Sequence, residues 1–320
     1  VKDRSKYLGG YNVASIVNVN PYESAEHMAM VKLGMLEPDE VTEPMKMGLL
    51  FEGVILDRAE DDLGNIGQRG LFIQHPKYDF LGGTIDGIAK DYILVDAKNL
   101  NQFSLREWED NGPSELYIVQ INYYAALLNA LGIPIHEAKL AVVFGGQTFR
   151  IYNVELDAEL GEMLIQKGID FWTRYIINGE PLDLSAAPVN VLTAYYKKAQ
   201  AKEVTIDDTA GNALVEYHNL NAEIKTLTER KDAAKATVMA FMQDANKAVY
   251  NAADGSIYGV SWGMTKGRSG FDSKAFAAEH PDLYAAYQRE GEPYRTFRTS
   301  MKTAAEIESA KQKKLKKEAL

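Results

Sequence analysis

The stretch from Phe80 to Lys98 limits what the rest of this chain can be. Phe80-Leu81-Gly82-Gly83-Thr84-Ile85-Asp86-Gly87-Ile88-Ala89 and Tyr92-Ile93-Leu94-Val95-Asp96-Ala97-Lys98 read as two strands around a turn at Lys90-Asp91. Side chains alternate faces along a strand, so Asp96 and Lys98 share one face while Ile93, Val95 and Ala97 enter a core. A turn centred on Asp91 sets Asp86 directly across from Asp96. A two-residue turn at Lys90-Asp91 sets Asp86 opposite Val95 instead, and the two carboxylates are then diagonal neighbours. Like charges facing each other in a half-buried sheet destabilise it unless a cation lies between them. The hairpin therefore predicts a divalent metal. An Asp-x-Lys triplet found alone is more often a solvated hairpin face, so the flanks have to supply more.

They do. A helix is expected over residues 43–61, with Pro44 in its first turn and Gly64 past its end. Met45, Leu49 and Leu56 form its apolar row, and Glu52 stands where the next apolar member belongs. A helix rotated to leave Glu52 at the rim, or a buried ion pair, would also explain it. After a polar connection over residues 101–111 that contains Arg106, Ser114 is expected to cap a helix running to Leu131, ended by Gly132. Its inward row of Leu116, Tyr123 or Tyr124, Leu127 and Leu131 includes Gln120, a group able to orient a water or a carboxylate, or to sit satisfied in a core. A second hairpin is expected over residues 138–144 and 148–156, then a helix over 157–178. The lead-in has a Gly9-Gly10 turn, an apolar run at 13–17, and a helix capped by Ser24. Helices and paired strands in this order predict an α/β domain with a mixed sheet.

Composition sets the outer bounds. The 320 residues are 46% hydrophobic and 25% charged, ordinary globular values. With no cysteine, disulfides, zinc-thiolate sites and iron-sulfur clusters are excluded. No run reaches the ~20 apolar residues a membrane span needs, and no secretory pattern opens the chain, so a cytoplasmic protein without membrane contact is expected. The net charge of -10 is uneven: residues 1–192 hold 15 basic against 28 acidic side chains, and residues 193–320 hold 20 against 17. Composition shifts at the same place, which divides the chain into domains at 1–192 and 193–320. In the second, Tyr217, Leu220, Ile224, Leu227, Ala234, Val238 and Phe241 step by threes and fours, broken at Lys231, on a helix over about residues 210–246. A small hairpin over 248–262, a basic loop at Lys266-Gly267-Arg268, short helices over 273–289, a strand at 294–298 and a basic end at 311–317 complete it.

The order of Glu52, Asp86, Asp96 with Lys98, and Gln120 resembles the PD-(D/E)XK nuclease core, and more narrowly the YqaJ-like viral recombinases and lambda-type phage exonucleases. Arg4, Gly9-Gly10, Asn20-Pro21-Tyr22, Gly48-Leu49-Leu50-Phe51-Glu52, His75-Pro76, Gly82-Gly83 and the closing Phe171-Trp172 with Gly179 and Pro181 also fit, so the resemblance spans residues 4–181. Asp96 stands where that family usually has Glu, and Tyr11-Asn12 where it tends to have Ser after the glycine pair. The resemblance implies a PD-(D/E)XK core, which the helical and β-hairpin region read from the spacing after residue 193 follows. It implies a Mg²⁺-dependent exonuclease, with Mn²⁺ an alternative and two ions expected, acting 5′ to 3′ on double-stranded DNA ends. The product would be a 3′ single strand for a single-strand annealing protein, in the host cytoplasm if phage-encoded, and a homo-oligomer, a trimer among relatives, is implied. Asp86, Asp96 and the Ala97 carbonyl would ligate metal, and Glu52 would hold a water or a second ion. Lys98 would position the attacking water and offset phosphate charge, and Gln120 would orient water or substrate. Arg4, Tyr11, Ser15 and Arg106 are the candidate phosphate contacts. Two other readings stay open: an endonuclease or RecB-like repair nuclease on the same core without a cluster, and a catalytically inactive DNA-binding or assembly protein.

Overall fold

The computed structural model describes residues 3–200, 203–267, 269–291, 294–301, 306, 309, 311 and 312. It divides into two compact units, Val1–Lys197 and Lys198–Leu320. The first unit has the expected mixed α/β architecture. In chain order its elements are α1 (Gly10–Ile16), α2 (Ala25–Lys32), α3 (Glu43–Leu63), β1 (Ile66–Gln74), β2 (Gly82–Ala89), β3 (Ile93–Leu100), α4 (Ser104–Asn111), α5 (Glu115–Ala130), β4 (Glu137–Phe144), β5 (Thr148–Val154), α6 (Ala158–Phe171) and α7 (Val189–Tyr195). The five strands lie in the order β1-β2-β3-β4-β5, antiparallel except for the parallel β3–β4 pair, which α4 and α5 bridge.

Both faces of the sheet are covered, which is why β3 reads as a nearly continuous apolar run apart from its polar end. Ile93, Val95, Ala89 and Ala141 pack under Ile55, Leu56 and Ala59 of α3. Leu94, Ile88, Leu140 and Val142 face the larger core that α5 builds with α1 and α6. Asp96 and Lys98, in phase with Leu94, therefore face α5. Buried Asn122 ties α5 to the start of α6: its Nδ2 donates to the Ile118 and Glu155 carbonyls at 3.0 and 3.2 Å, and its Oδ1 accepts the Asp157 N–H at 2.8 Å. Ser24 caps α2 as expected, accepting the His27 N–H at 3.2 Å.

Several expectations need correction. The Gly9-Gly10 turn and most of the apolar run at 13–17 belong to one helix over residues 10–16, and residues 104–111 of the polar connection are helical. β1 was not foreseen, because Gly67, Gln68, Arg69 and Gly70 interrupt the alternation; Arg69 anchors it through Asp57 at 2.6 Å and Glu60 at 2.9 Å on α3. Met45 and Leu49 are 51% and 65% exposed, so the buried face of α3 begins only at its second half. The helix expected over 157–178 is present as α6 and a wider π-type continuation through Ile177.

The second unit consists of α8 (Asp208–Met242), the two-stranded sheet of β6 (Lys247–Asn251) and β7 (Ile257–Ser261), α9 (Ser273–Glu279) and α10 (Pro281–Tyr287). Residues 294–298 form no strand. Arg268 of the basic loop and residues 313–317 of the basic end lie outside the described residues. Among the described residues no helix is long and apolar enough to cross a membrane.

Candidate active site

The turn decides the register. Lys90–Tyr92 forms a single tight turn around Asp91, which takes a left-handed conformation at φ 60°. The β2–β3 ladder pairs Ala89 with Ile93, Ile88 with Leu94 and Gly87 with Val95. The next step along that register brings Asp86 level with Asp96, the arrangement that a turn centred on Asp91 requires. The ladder stops there, and the Asp86 carboxylate accepts the Ala97 N–H at 2.8 Å in place of a backbone partner. The N–H and C=O of one strand residue point to the same side, so the Ala97 carbonyl also faces the side where pairing has ended.

Charge is concentrated on this spot. Asp96 is 3% exposed, and its Oδ2 has no hydrogen bond of acceptable geometry. Lys98 Nζ lies 2.5 Å from that oxygen and pairs with it as an ion. Burial pushes the Asp86 carboxyl up to about 7; Asp96 and Glu52 add to the effect, while Lys98 and the Ala97 N–H oppose it. Burial also raises Glu52, with Lys98 opposing and Asp96 adding. On Lys98, burial favours the neutral amine, but Asp96 and Asp86 outweigh it and hold the group above its ordinary value. Without a metal, the two aspartates thus favour the charged form of Lys98.

The helix above the pair contributes Tyr117, Gln120 and Tyr124, one face at i, i+3 and i+7. Lys98 Nζ sits 5.1 Å from the Tyr117 ring centre. Tyr124, its phenol held up to about 12 first by burial, accepts the Gly10 N–H at 3.3 Å. Glycines permit this approach: a Cβ on Gly83 would lie 2.6 Å from the Tyr124 ring, and one on Gly10 would lie 2.7 Å from Gln120 Cγ. The glycine pairs at 9–10 and 82–83 are therefore where α1 and β2 press against the α5 face. Tyr117 and Tyr124 were not singled out from sequence; their spacing from Gln120 is the signal that could have found them.

Placement of the remaining candidates is uneven. Tyr11 begins α1 at the surface, its hydroxyl environment shared with Asn20, Glu23, Tyr22 and Tyr117. Arg4 is exposed; its carbonyl and that of Tyr7 accept from the half-buried Lys32 Nζ at 2.5 and 2.6 Å. Ser15 is 1% exposed, accepts from Asn20 Nδ2 at 2.9 Å and donates toward the Tyr11 carbonyl at 3.3 Å, so it braces the loop and does not offer a hydroxyl to a phosphate. The Arg106 side chain is 93% exposed and pairs with Asp110 at 3.8 Å, one turn along α4.

The donor set suits a hard cation. A buried Asp96 carboxylate paired with Lys98, a carboxyl on Asp86 destabilised as an anion, and a backbone carbonyl at the ladder's end are oxygen groups of the kind that Mg²⁺ takes. Among the described residues no three His, Asp or Glu side chains converge where they could hold a metal ion.

The chain is similar to several known proteins. Over 295 residues the chain is 26% identical to protein YqaJ of Bacillus subtilis (strain 168), covering 90% of this chain and 89% of that one. Among solved structures, the alkaline exonuclease LHK-Exo of Laribacter hongkongensis is similar with a TM-score of 0.46 and 18% identity, over 55% of this chain and 90% of that one. A phage-related exonuclease of Haemophilus somnus 129PT is similar with a TM-score of 0.40 and 12% identity, over 54% and 96% of the two chains. Residues 1–130, which hold Glu52, Asp86, Asp96, Lys98 and Gln120, match the family described as the YqaJ-like viral recombinase domain.

Proposed function

We propose that this chain is a Mg²⁺-dependent deoxyribonuclease that degrades linear duplex DNA from its 5′ ends and leaves 3′ single strands for an annealing protein. The observation that carries the reading is the Asp86–Asp96 pair, level across β2 and β3, with Asp96 buried and ion-paired to Lys98. The match of residues 1–130 to the YqaJ-like viral recombinase domain supports the direction of the reading.

Asp86, Asp96 and the Ala97 carbonyl would hold the metal, with Mn²⁺ able to replace Mg²⁺ and a second ion beside Glu52. When bound, the metal supplies a nucleophilic water near neutral pH and neutralises phosphate charge. Lys98, on the same face as Asp96 and in contact with it, would position the attacking water and offset phosphate charge. Gln120, pressed against the backbone of Gly10, orients water or substrate from the opposite wall. Tyr11 and Arg4, both at the surface of the lead-in segment, are assigned to the terminal phosphate. The working form would be a homo-oligomer in the cytoplasm.

The test is digestion of linear duplexes labelled at either end, with and without a 5′ phosphate, in Mg²⁺ or chelator. Release from the 5′ end in Mg²⁺ alone is expected, with Asp86→Ala, Asp96→Ala and Lys98→Ala each reducing the rate by about 10²-fold or more. Equal cutting of closed circular DNA would replace the exonuclease with an endonuclease on the same core. No digestion, together with no Mg²⁺-dependent rise in Tm, would leave a catalytically silent DNA-binding protein.

A further inference from the structure

We infer that α8 is a self-association element: two copies of this chain pair antiparallel along it. The inference concerns the second unit and does not depend on the nuclease reading.

Every residue from 219 to 238 is exposed, although Leu220, Ile224, Leu227 and Val238 repeat there at heptad spacing. Along the seam the Phe297 ring meets Tyr217 at 5.3 Å, at its N-terminal end. Most helical stability in proteins comes from packing an apolar face, and a 3-4 seam finds that packing on a partner helix. From Tyr217 to Phe241 the seam runs about 36 Å at the rise of an α-helix.

The flanking charges choose both the occupant and its direction. Glu216 and Glu223 border the N-terminal half of the seam, and Arg230 and Lys235 border the C-terminal half. A second copy running the opposite way brings the acidic half of each helix against the basic half of the other. With the two-fold axis between Lys225 and Thr226, at the middle of Asp208–Met242, Glu223 of each copy meets Arg230 of the other. The same register sets Ile224 against Leu227 at the centre and large side chains against small ones outward: Tyr217 on Ala234, Val238 on Ala213, Phe241 on Ala210. That is the size alternation that close packing needs. Lys231, the break in the seam, falls against Leu220 beside Glu223 of the other copy. A parallel pair in register would instead stack Lys231 on Lys231 and set Arg230 near Lys235, like charges that disfavour it.

The experiment uses the full chain. Sedimentation equilibrium should give an even-numbered assembly for the wild type. Glu223→Arg should weaken association at least tenfold and halve the mass, and the swap Glu223→Arg with Arg230→Glu should restore it. The chain has no cysteine, so direction can be read by oxidation. A mixture of the Val238→Cys and Ala213→Cys proteins should form the mixed disulfide, and neither protein alone should crosslink. A monomeric wild type, a mass indifferent to Glu223→Arg, or self-crosslinking of Val238→Cys would each overturn the inference.

Discussion

Replacing Asp86 by asparagine should stabilise the metal-free protein at alkaline pH while removing its response to Mg²⁺. The asparagine Oδ1 can still accept the Ala97 N–H, 2.8 Å away, so the local hydrogen bond survives. What disappears is a carboxylate that burial first, then Asp96 and Glu52, holds at about 7 against an ordinary 3.8. A folded-state pKa raised this way means that the native protein binds the proton more tightly than the unfolded chain. Stability from this group is therefore undiminished below about pH 3.8, erodes between 3.8 and 7, and reaches its full deficit above 7. At ~1.36 kcal/mol per unit the full deficit is about 4 kcal/mol, and the asparagine amide must itself be partly desolvated. Asp86→Asn should accordingly be more stable than wild type by about 2–4 kcal/mol at pH 8 in chelator, and by under ~2 kcal/mol at pH 5. Urea unfolding followed through buried Trp108 and Trp172 reads this directly. In saturating Mg²⁺ the wild type should gain about 2.7 kcal/mol at a hundredfold excess over Kd, and the variant little. If the variant is no more stable than wild type at pH 8, or the gap does not change with pH, the electrostatic account of the pair is refuted.

Two other perturbations separate structural from functional roles. Gly83→Ala would place its Cβ 2.6 Å from the buried Tyr124 ring, so a loss of about 1–3 kcal/mol in urea unfolding is expected, with nuclease activity falling as the α5 face is displaced. Ser15→Ala should cost about 1–2 kcal/mol, because Asn20 Nδ2 loses its 2.9 Å acceptor, and should leave DNA affinity in a binding titration unchanged, since the hydroxyl is buried.

Legibility followed the range of the forces involved. The alternation of β3 was readable from local spacing, and with it the shared face of Asp96 and Lys98, because strand periodicity leaves no choice. The heptad row of α8 was readable for the same reason. β1 was not, because its glycines and polar residues are tolerated only through pairing with β2 and the ion pairs of Arg69 to α3, contacts distant in sequence. The row of Met45 and Leu49 had the right period but no partner surface beneath it, so period alone misjudged which turn of α3 is buried.

By itself the sequence determined which chemical groups were available: a hairpin with two carboxylates and a lysine, a polar residue on each flanking helix, and no thiol. Only the tertiary structure decided how they meet. The left-handed turn at Asp91 chose between two registers that differ by one residue, and in a strand one residue moves a side chain to the other face. The same structure withdrew Ser15 into a brace and lifted Asp86 to near neutrality. Burial and proximity are properties of packed chains, so no spacing could announce them.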